Sequence, residues 1–225
     1  MIRLEKSQAL GRIIRQDDAA ELGKPTWTLV REAVRAGNID EALKFIDYGC
    51  WEDKTLHDSM CSFLDDALTH LVNFGEEEIY KVFRSRYYPV ASRWLVDTPS
   101  VEESLQRGLE YQRGHGGNSA VTEEADRYVV KCDPCGTGGQ LRRTKDVGMI
   151  KKAYPWTWCK SGVYYYCAHC CVFWEILPIE LRGYPIKIVL VGNKPEDPCI
   201  HYYYKRPELI PEEYFTRIGK TKTIK

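Results

Sequence analysis

Arg127-Tyr-Val-Val-Lys-Cys-Asp-Pro-Cys-Gly-Thr-Gly-Gly-Gln-Leu-Arg-Arg143 decides how the second half of this chain is read. Cys132 and Cys135 stand in a C-x2-C spacing, and a second pair, Cys167-Ala-His-Cys170, follows after 31 intervening residues. Each pair spans one edge of a tetrahedron from a single tight turn, so four thiolates arriving as two pairs suit one Zn²⁺ ion. Tyr128, Val129 and Val130 form a strand entering the first knuckle, and Gln140-Leu-Arg-Arg143 is expected to leave it as the antiparallel return strand. Gly136, Gly138 and Gly139 let the backbone bend so that amides point at sulfur. An iron-sulfur cluster is the competing metal reading, because four cysteines also suit it.

Downstream, Val163-Tyr-Tyr-Tyr166, Ile186-Lys-Ile-Val-Leu-Val191 and Ile200-His-Tyr-Tyr-Tyr204 are expected strands, and residues 212–218 a final helical turn or two. Ten of the fifteen tyrosines lie after residue 125, which suits a small sheet walling a cleft. Upstream the pattern is helical. Pro25 opens a helix to Arg35 with Trp27, Val30 and Val34 on one stripe and Gly37 at its end. Asn38-Ile-Asp-Glu41 is a capping box opening another helix through Leu43 and Ile46. An amphipathic stretch over 52–74 carries Leu56, Met60, Phe63, Leu64, Leu68 and Leu71, with Gly75 as its stop. Residues 76–86 form the next helix. Ser100-Val-Glu-Glu103 is a second capping box, whose helix frays near Gly114-His-Gly-Gly117. The phrase Ala36-Gly-Asn-Ile-Asp-Glu-Ala-Leu43 does not recur at a fixed period, which excludes a solenoid. The expected fold is α+β: an N-terminal helical bundle over 1–120, then a C-terminal domain over 121–225 whose small antiparallel sheet carries a zinc-ribbon-like metal site.

With 44% apolar and 28% charged residues, the composition is that of an ordinary globular protein. No apolar run approaches the roughly 18 residues of a membrane span, and Met1-Ile-Arg-Leu-Glu-Lys lacks the apolar stretch of a secretory leader. A cytoplasmic protein is therefore expected, in which nine cysteines serve metal ligation rather than disulfides. Residues 1–125 carry 15 basic and 22 acidic side chains, residues 126–225 carry 17 and 10. Either the halves attract each other or the basic half meets an anionic ligand. The zero total charge speaks against general nucleic-acid binding. Association with further copies of the chain stays open.

Several side chains near the knuckles carry chemistry of their own. His169 and Cys171 make Cys-Ala-His-Cys-Cys a run with four soft ligands, so either can replace Cys170 and leave an open metal position. The plainer alternative puts His169 on the turn and Cys171 among small buried apolar residues. Glu175 and Glu180 flank Pro178 in an apolar setting that suits a proton donor or acceptor, unless each pairs with an arginine such as Arg142 or Arg182. Cys199 and His201, two apart on a strand, share a face as nucleophile and base, as two further metal ligands, or as inert buried groups. His57, Cys61 and Asp65 recur at i, i+4 and i+8, with no second histidine-bearing helix evident to complete a metal sphere. His115 reads as part of a lid or as a plain linker. Arg142, Arg143 and Lys205 are the candidates to hold an anionic substrate.

The first knuckle, with glycine directly after its second cysteine, resembles zinc-ribbon proteins over about 40 residues, which implies a structural Zn²⁺. Together with Tyr166-Cys-Ala-His-Cys-Cys171 it is similar to a group of uncharacterised bacterial cysteine-rich proteins. Asp197-Pro-Cys-Ile-His-Tyr-Tyr-Tyr204 resembles the end of the L-2-amino-thiazoline-4-carboxylic acid hydrolase-like family, which implies a hydrolase. Two functions remain in competition. The first is a zinc-binding metabolic enzyme, a hydrolase or lyase acting on a small aromatic or anionic molecule beside the metal site. The second is a non-catalytic zinc-ribbon adaptor that binds protein or nucleic acid through Arg142, Arg143, Lys151 and Lys152 beside Trp156 and Trp158. An adaptor displays those aromatics on a flat basic face; an enzyme buries its aromatics around a concave pocket holding at least two titratable groups.

Overall fold

A hairpin, not a helix, begins the fold of the computed structural model, which describes residues 3–16, 18–19, 22–95 and 99–224. Strands β1 (Arg3–Ser7) and β2 (Arg12–Gln16) pair antiparallel, with Gly11 in the turn at φ 64°. Only glycine takes that left-handed conformation without steric cost. Helix α1 (Thr26–Arg35) follows Pro25. It buries Leu29 and Ala33 against Ala42 and Phe45, while Trp27 and Val34, which the expected apolar stripe contained, are exposed.

The two helices expected over 39–46 and 52–74 are one. Helix α2 runs unbroken over Ile39–Leu71, 33 residues, before a 3-10 turn at Val72–Phe74 and Gly75 at φ 121°. No proline interrupts it, and its internal Gly49 answers to packing: a β-carbon there would come within 3.2 Å of the Trp27 ring. Two compact units divide the chain at Leu56/His57, inside α2, so the change of composition near residue 120 falls within the second unit.

In that second unit, α3 (Glu77–Trp94) extends past the expected end at Arg86 and carries Pro89 within it. Helix α4 (Val101–Gly114) has the complete capping box: Glu103 N donates to Ser100 Oγ at 3.2 Å, and Ser100 N donates to Glu103 Oε2 at 3.0 Å. Then come β3 (Ser119–Glu123), β4 (Arg127–Cys132) and α5 (Gly138–Thr144). The expected return strand at Gln140–Arg143 is thus helical. Gln, Leu and Arg are good helix formers, and both edges of β4 are already taken by other strands.

Val163–Tyr166 makes only an isolated bridge, Met149 with Tyr164, and not the expected strand. It leads directly into α6 (Ala168–Cys171), a π-helical turn (Val172–Ile176) and α7 (Leu177–Arg182), three consecutive segments of one helical rod. Strands β5 (Ile188–Leu190) and β6 (Cys199–Tyr204) fall within or over the strands expected at 186–191 and 200–204, and α8 (Glu213–Thr216) is the expected last turn. The sheet is antiparallel in the order β3-β4-β6-β5. Its core is rich in aromatics, with Trp156, Trp158, Tyr165, Tyr166, Phe173, Trp174 and Tyr203 all buried. The fold is therefore mixed helix and sheet, and no described helix is long and apolar enough to cross a membrane.

Candidate functional site

Five thiols gather where β4, β6, α5 and α6 meet. Cys132 ends β4 and sits opposite Cys199, the first residue of β6. Both are buried, as are Cys135 and Cys167, while Cys170 is partly covered. The glycines of the first knuckle permit this gathering. A β-carbon on Gly138 would lie 2.6 Å from Cys167 Sγ, and one on Gly139 would lie 2.9 Å from Cys135 Cβ. Gly138 thus lets the second knuckle approach the first, and Gly139 lets the first turn close on its own Cys135. Charge on Cys135, Cys167 or Cys199 is felt at Cys170, and charge on Cys135 or Cys199 at Cys132. Burial pushes the Cys132 thiol up to about 11, and also raises Cys167, Cys170 and Cys199.

Two buried cations face these thiols. Lys187, in the middle of an apolar run, is 1% exposed. Its Nζ lies 3.1 Å from His201 Nδ1 and 4.0 Å from the Trp174 ring centroid, and it interacts electrostatically with Cys170, Cys132, Cys135 and Cys199. Arg142 is 4% exposed. It donates to the carbonyls of Pro195, Gly192 and Asp197 and approaches Cys199 Sγ at 3.8 Å. Neither cation pairs with a carboxylate among the described residues. Burial lowers the pKa of Lys187 and, with the Lys187 charge, holds His201 well below its ordinary value. His201 does share a face with Cys199, and its Nδ1 is 3.6 Å from Cys132 Sγ.

The carboxylates proposed for proton transfer are occupied. Glu175, fully buried, accepts from Trp158 Nε1 at 2.9 Å, from Val189 N at 2.8 Å and from Arg217 Nη2 at 2.8 Å. Burial raises its pKa against the pull of Arg217. Glu180 sits between Arg84 at 2.7 Å and Lys220 at 2.8 Å. Burial would raise its pKa, but the hydrogen bonds and charges of Lys220 and Arg84 outweigh it and hold the carboxyl below 4.5. Arginines do pair with both, though the partners are Arg217 and Arg84 rather than Arg142 and Arg182.

The proposed anion holders are engaged as well. Arg143 bonds Asp133 at 2.6 Å and the carbonyls of Pro195 and Glu196, and Lys205 bonds Glu123 at 2.7 Å. His169 stacks on Tyr87, contacts Tyr166 and lies with Nε2 3.5 Å from Cys170 Sγ; burial takes it down to about 4. Cys171 is fully buried and hydrogen-bonds the Pro155 carbonyl at 3.6 Å. Asp65 is buried and pairs with Lys145 instead of joining His57 and Cys61.

His115 was the residue whose role in the sequence was least legible. It caps the C-terminal end of α4, and its Nδ1 lies 2.8 Å from His57 Nε2. Cys61 Sγ lies 3.5 Å from the same His57 nitrogen, and Asp58 Oδ1 is 3.0 Å from His57 Nδ1. Burial and the neighbouring His57 lower the pKa of His115. A backbone approach secures the position: a β-carbon on Gly136 would strike the His115 carbonyl, so glycine there lets the first knuckle pass against the end of α4. His115 also lines an open cavity of about 700 Å³ with Arg93, Trp94, Arg107, Glu110, Tyr111 and Gly114. Beneath it, Trp94 and Tyr111 pack edge-on against Trp174, whose ring carries Lys187.

Among the described residues, no group of three or more His, Cys, Asp or Glu side chains is placed so that it could hold a metal ion. Cys132, Cys135, Cys167 and Cys170 match a divalent ion in the chemistry of their donors. Four thiolates around such an ion leave a double negative charge, and the two buried cations facing them are its complement. A bound ion would supply a cross-link between the β4 turn and α6. No protein-family model, curated protein or solved structure matches this chain.

Proposed function

We propose that this chain is a zinc-thiolate protein in which Cys132, Cys135, Cys167 and Cys170 hold a structural Zn²⁺, and that it is a hydrolase or lyase acting on a small anionic aromatic molecule. The observation that carries the metal is the pair of buried cations, Lys187 and Arg142, turned toward thiols without a carboxylate partner among the described residues. An uncompensated buried charge is costly. A tetrathiolate site removes that cost, and metal binding of about 10–16 kcal/mol then supports folding of this region.

Substrate binding belongs to the cavity between α3 and α4. Arg93 and Arg107 attract an anion, Trp94 and Tyr111 offer ring faces, and His115 stands at the edge as a proton carrier. The cavity is open to solvent, and the support it gives the enzyme reading is that Arg93, Arg107, Glu110 and His115 stand together beside two aromatic rings. Burial of Trp156, Trp158 and Arg142 weighs against the adaptor reading, whose exposed members are Lys151 and Lys152. Hydrolysis is the reaction class suggested by the likeness of the Asp197 to Tyr204 stretch.

Elemental analysis of chain purified without oxygen tests the metal. Cys132→Ser and Cys167→Ser are each expected to lose one equivalent of zinc, whereas Cys159→Ser, at an exposed cysteine, keeps it. Iron with acid-labile sulfide in place of zinc, or serine variants with undiminished metal, would sink the proposal.

A further inference from the structure

We infer that the cavity at the first turn of α4 is a binding site for a small monocarboxylate with an aliphatic body. It shares no lining residue with the cavity between α3 and α4 and does not depend on the function proposed above. About 190 Å³ is enclosed between the start of α4, the segment joining α7 to β5, and the chain leaving β6. Local sequence sets two of these walls. The Ser100 capping box fixes where α4 begins, and Gly183, at φ 90°, ends α7 and turns the chain into Tyr184-Pro-Ile186.

The charge of the wall is one-sided: Arg182 lines the cavity, and no aspartate or glutamate does. Arg182 Nε donates to the Tyr184 carbonyl at 3.3 Å and Nη2 to the Pro185 carbonyl at 3.2 Å, with the guanidinium 4.1 Å from the Tyr184 ring centroid. Its Nη1 has no hydrogen-bond partner, and no carboxylate pairs with it among the described residues. Burial lowers its pKa, as expected of a cation taken from water without an anion. Two lysines of the wall are already engaged, Lys205 by Glu123 at 2.7 Å and Lys187 by His201 at 3.1 Å. Ser104 lines the cavity too; it is 4% exposed, and its hydroxyl bonds nothing among the described residues. A buried hydroxyl without a partner costs about 1–3 kcal/mol. A carboxylate brings the acceptor that both Arg182 and Ser104 lack.

The remaining wall sets the body of the ligand. Val101, Ile186, Ile188 and Ile210, with three prolines, give an aliphatic lining. An apolar cavity of about 150 Å³ takes benzene, so this one has room for roughly a six-carbon acid. Charge excludes phosphate, because a dianion would meet one unanswered cation and leave its second charge against aliphatic walls.

Calorimetric titration of the full chain under reducing conditions with hexanoate, hexanol and inorganic phosphate tests the site. One equivalent of hexanoate is expected to bind, with hexanol about 10–100-fold weaker and no uptake of phosphate. Arg182→Gln should weaken hexanoate by about 10–100-fold and Ser104→Ala by about 2–10-fold, each variant checked for native folding by near-ultraviolet circular dichroism. The contrast between hexanoate and hexanol needs no variant, so it decides the matter even if Arg182→Gln does not fold. Hexanol binding as tightly as hexanoate, phosphate binding instead of it, or no uptake of hexanoate overturns the inference. So does a folded Arg182→Gln chain with undiminished affinity, or loss of binding in Arg93→Gln, which would place the carboxylate in the α3–α4 cavity.

Discussion

Glu175 and Glu180 lie five residues apart and experience burial differently. Glu175 is wholly enclosed, and Arg217, Trp158 and the Val189 amide hydrogen-bond it against the burial that raises its pKa. Arg217→Met leaves that carboxylate buried without its cation, which should cost about 3–5 kcal/mol. A urea midpoint unchanged from the wild type would contradict that role. Glu180 is only partly covered, and its pKa is held below 4.5. Its pairing therefore stabilises the fold above that ordinary value and is lost as pH falls through the lower folded one. Acid unfolding of Glu180→Gln should accordingly be less steep below pH 4.5, with a difference of up to roughly 1 kcal/mol at neutral pH. Coincident acid-unfolding curves for the two proteins would refute it. That arginine partners exist was legible from the apolar setting of both residues. Which arginines was not, because Arg217 lies 42 positions downstream of Glu175 and nothing local points to it.

At the scale of elements, local signals were read reliably where the chemistry is local. The Ser100 capping box forms as its spacing requires, and Ser100→Ala should cost about 1 kcal/mol of stability, read as a lower melting temperature. The apolar run at 186–191 and the tyrosine-rich run at 200–204 became β5 and β6. The first knuckle was misread at Gln140 because a return strand needs a free neighbour, and β4 has β3 on one side and β6 on the other. Pairing of that kind is a tertiary fact. The fusion of two expected helices into α2 has a similar origin, since Gly49 serves contact with Trp27 rather than a break. Helix α4 and strand β6 meet at Gly108, where a β-carbon would run into the Tyr203 hydroxyl. Gly108→Ala should therefore force the two apart and destabilise by about 1–3 kcal/mol. A variant as stable as the wild type in chemical denaturation would show that α4 yields freely.

For the molecule as a whole, the knuckles were legible from spacing alone, but their setting was not. Lys187 reads in the sequence as an oddity inside Ile-Lys-Ile-Val-Leu-Val; only the fold turns it toward Cys132, Cys135, Cys170 and Cys199. His57 and His115, 58 residues apart, carry no mutual signal either. Four of the five histidines, 57, 115, 169 and 201, thus each lie within hydrogen-bonding range of a cysteine or of another histidine. If Lys187 balances a metal-thiolate charge, Lys187→Met should lower zinc affinity by about 10–100-fold, as loss of an outer partner does; unaltered affinity in a competition with a chelating dye would remove the charge argument. The central claim is tested most directly by zinc K-edge X-ray absorption on the purified protein. A first shell dominated by sulfur at about 2.3 Å is predicted; a shell of nitrogen and oxygen alone near 2.0–2.1 Å, or no bound metal, would contradict it.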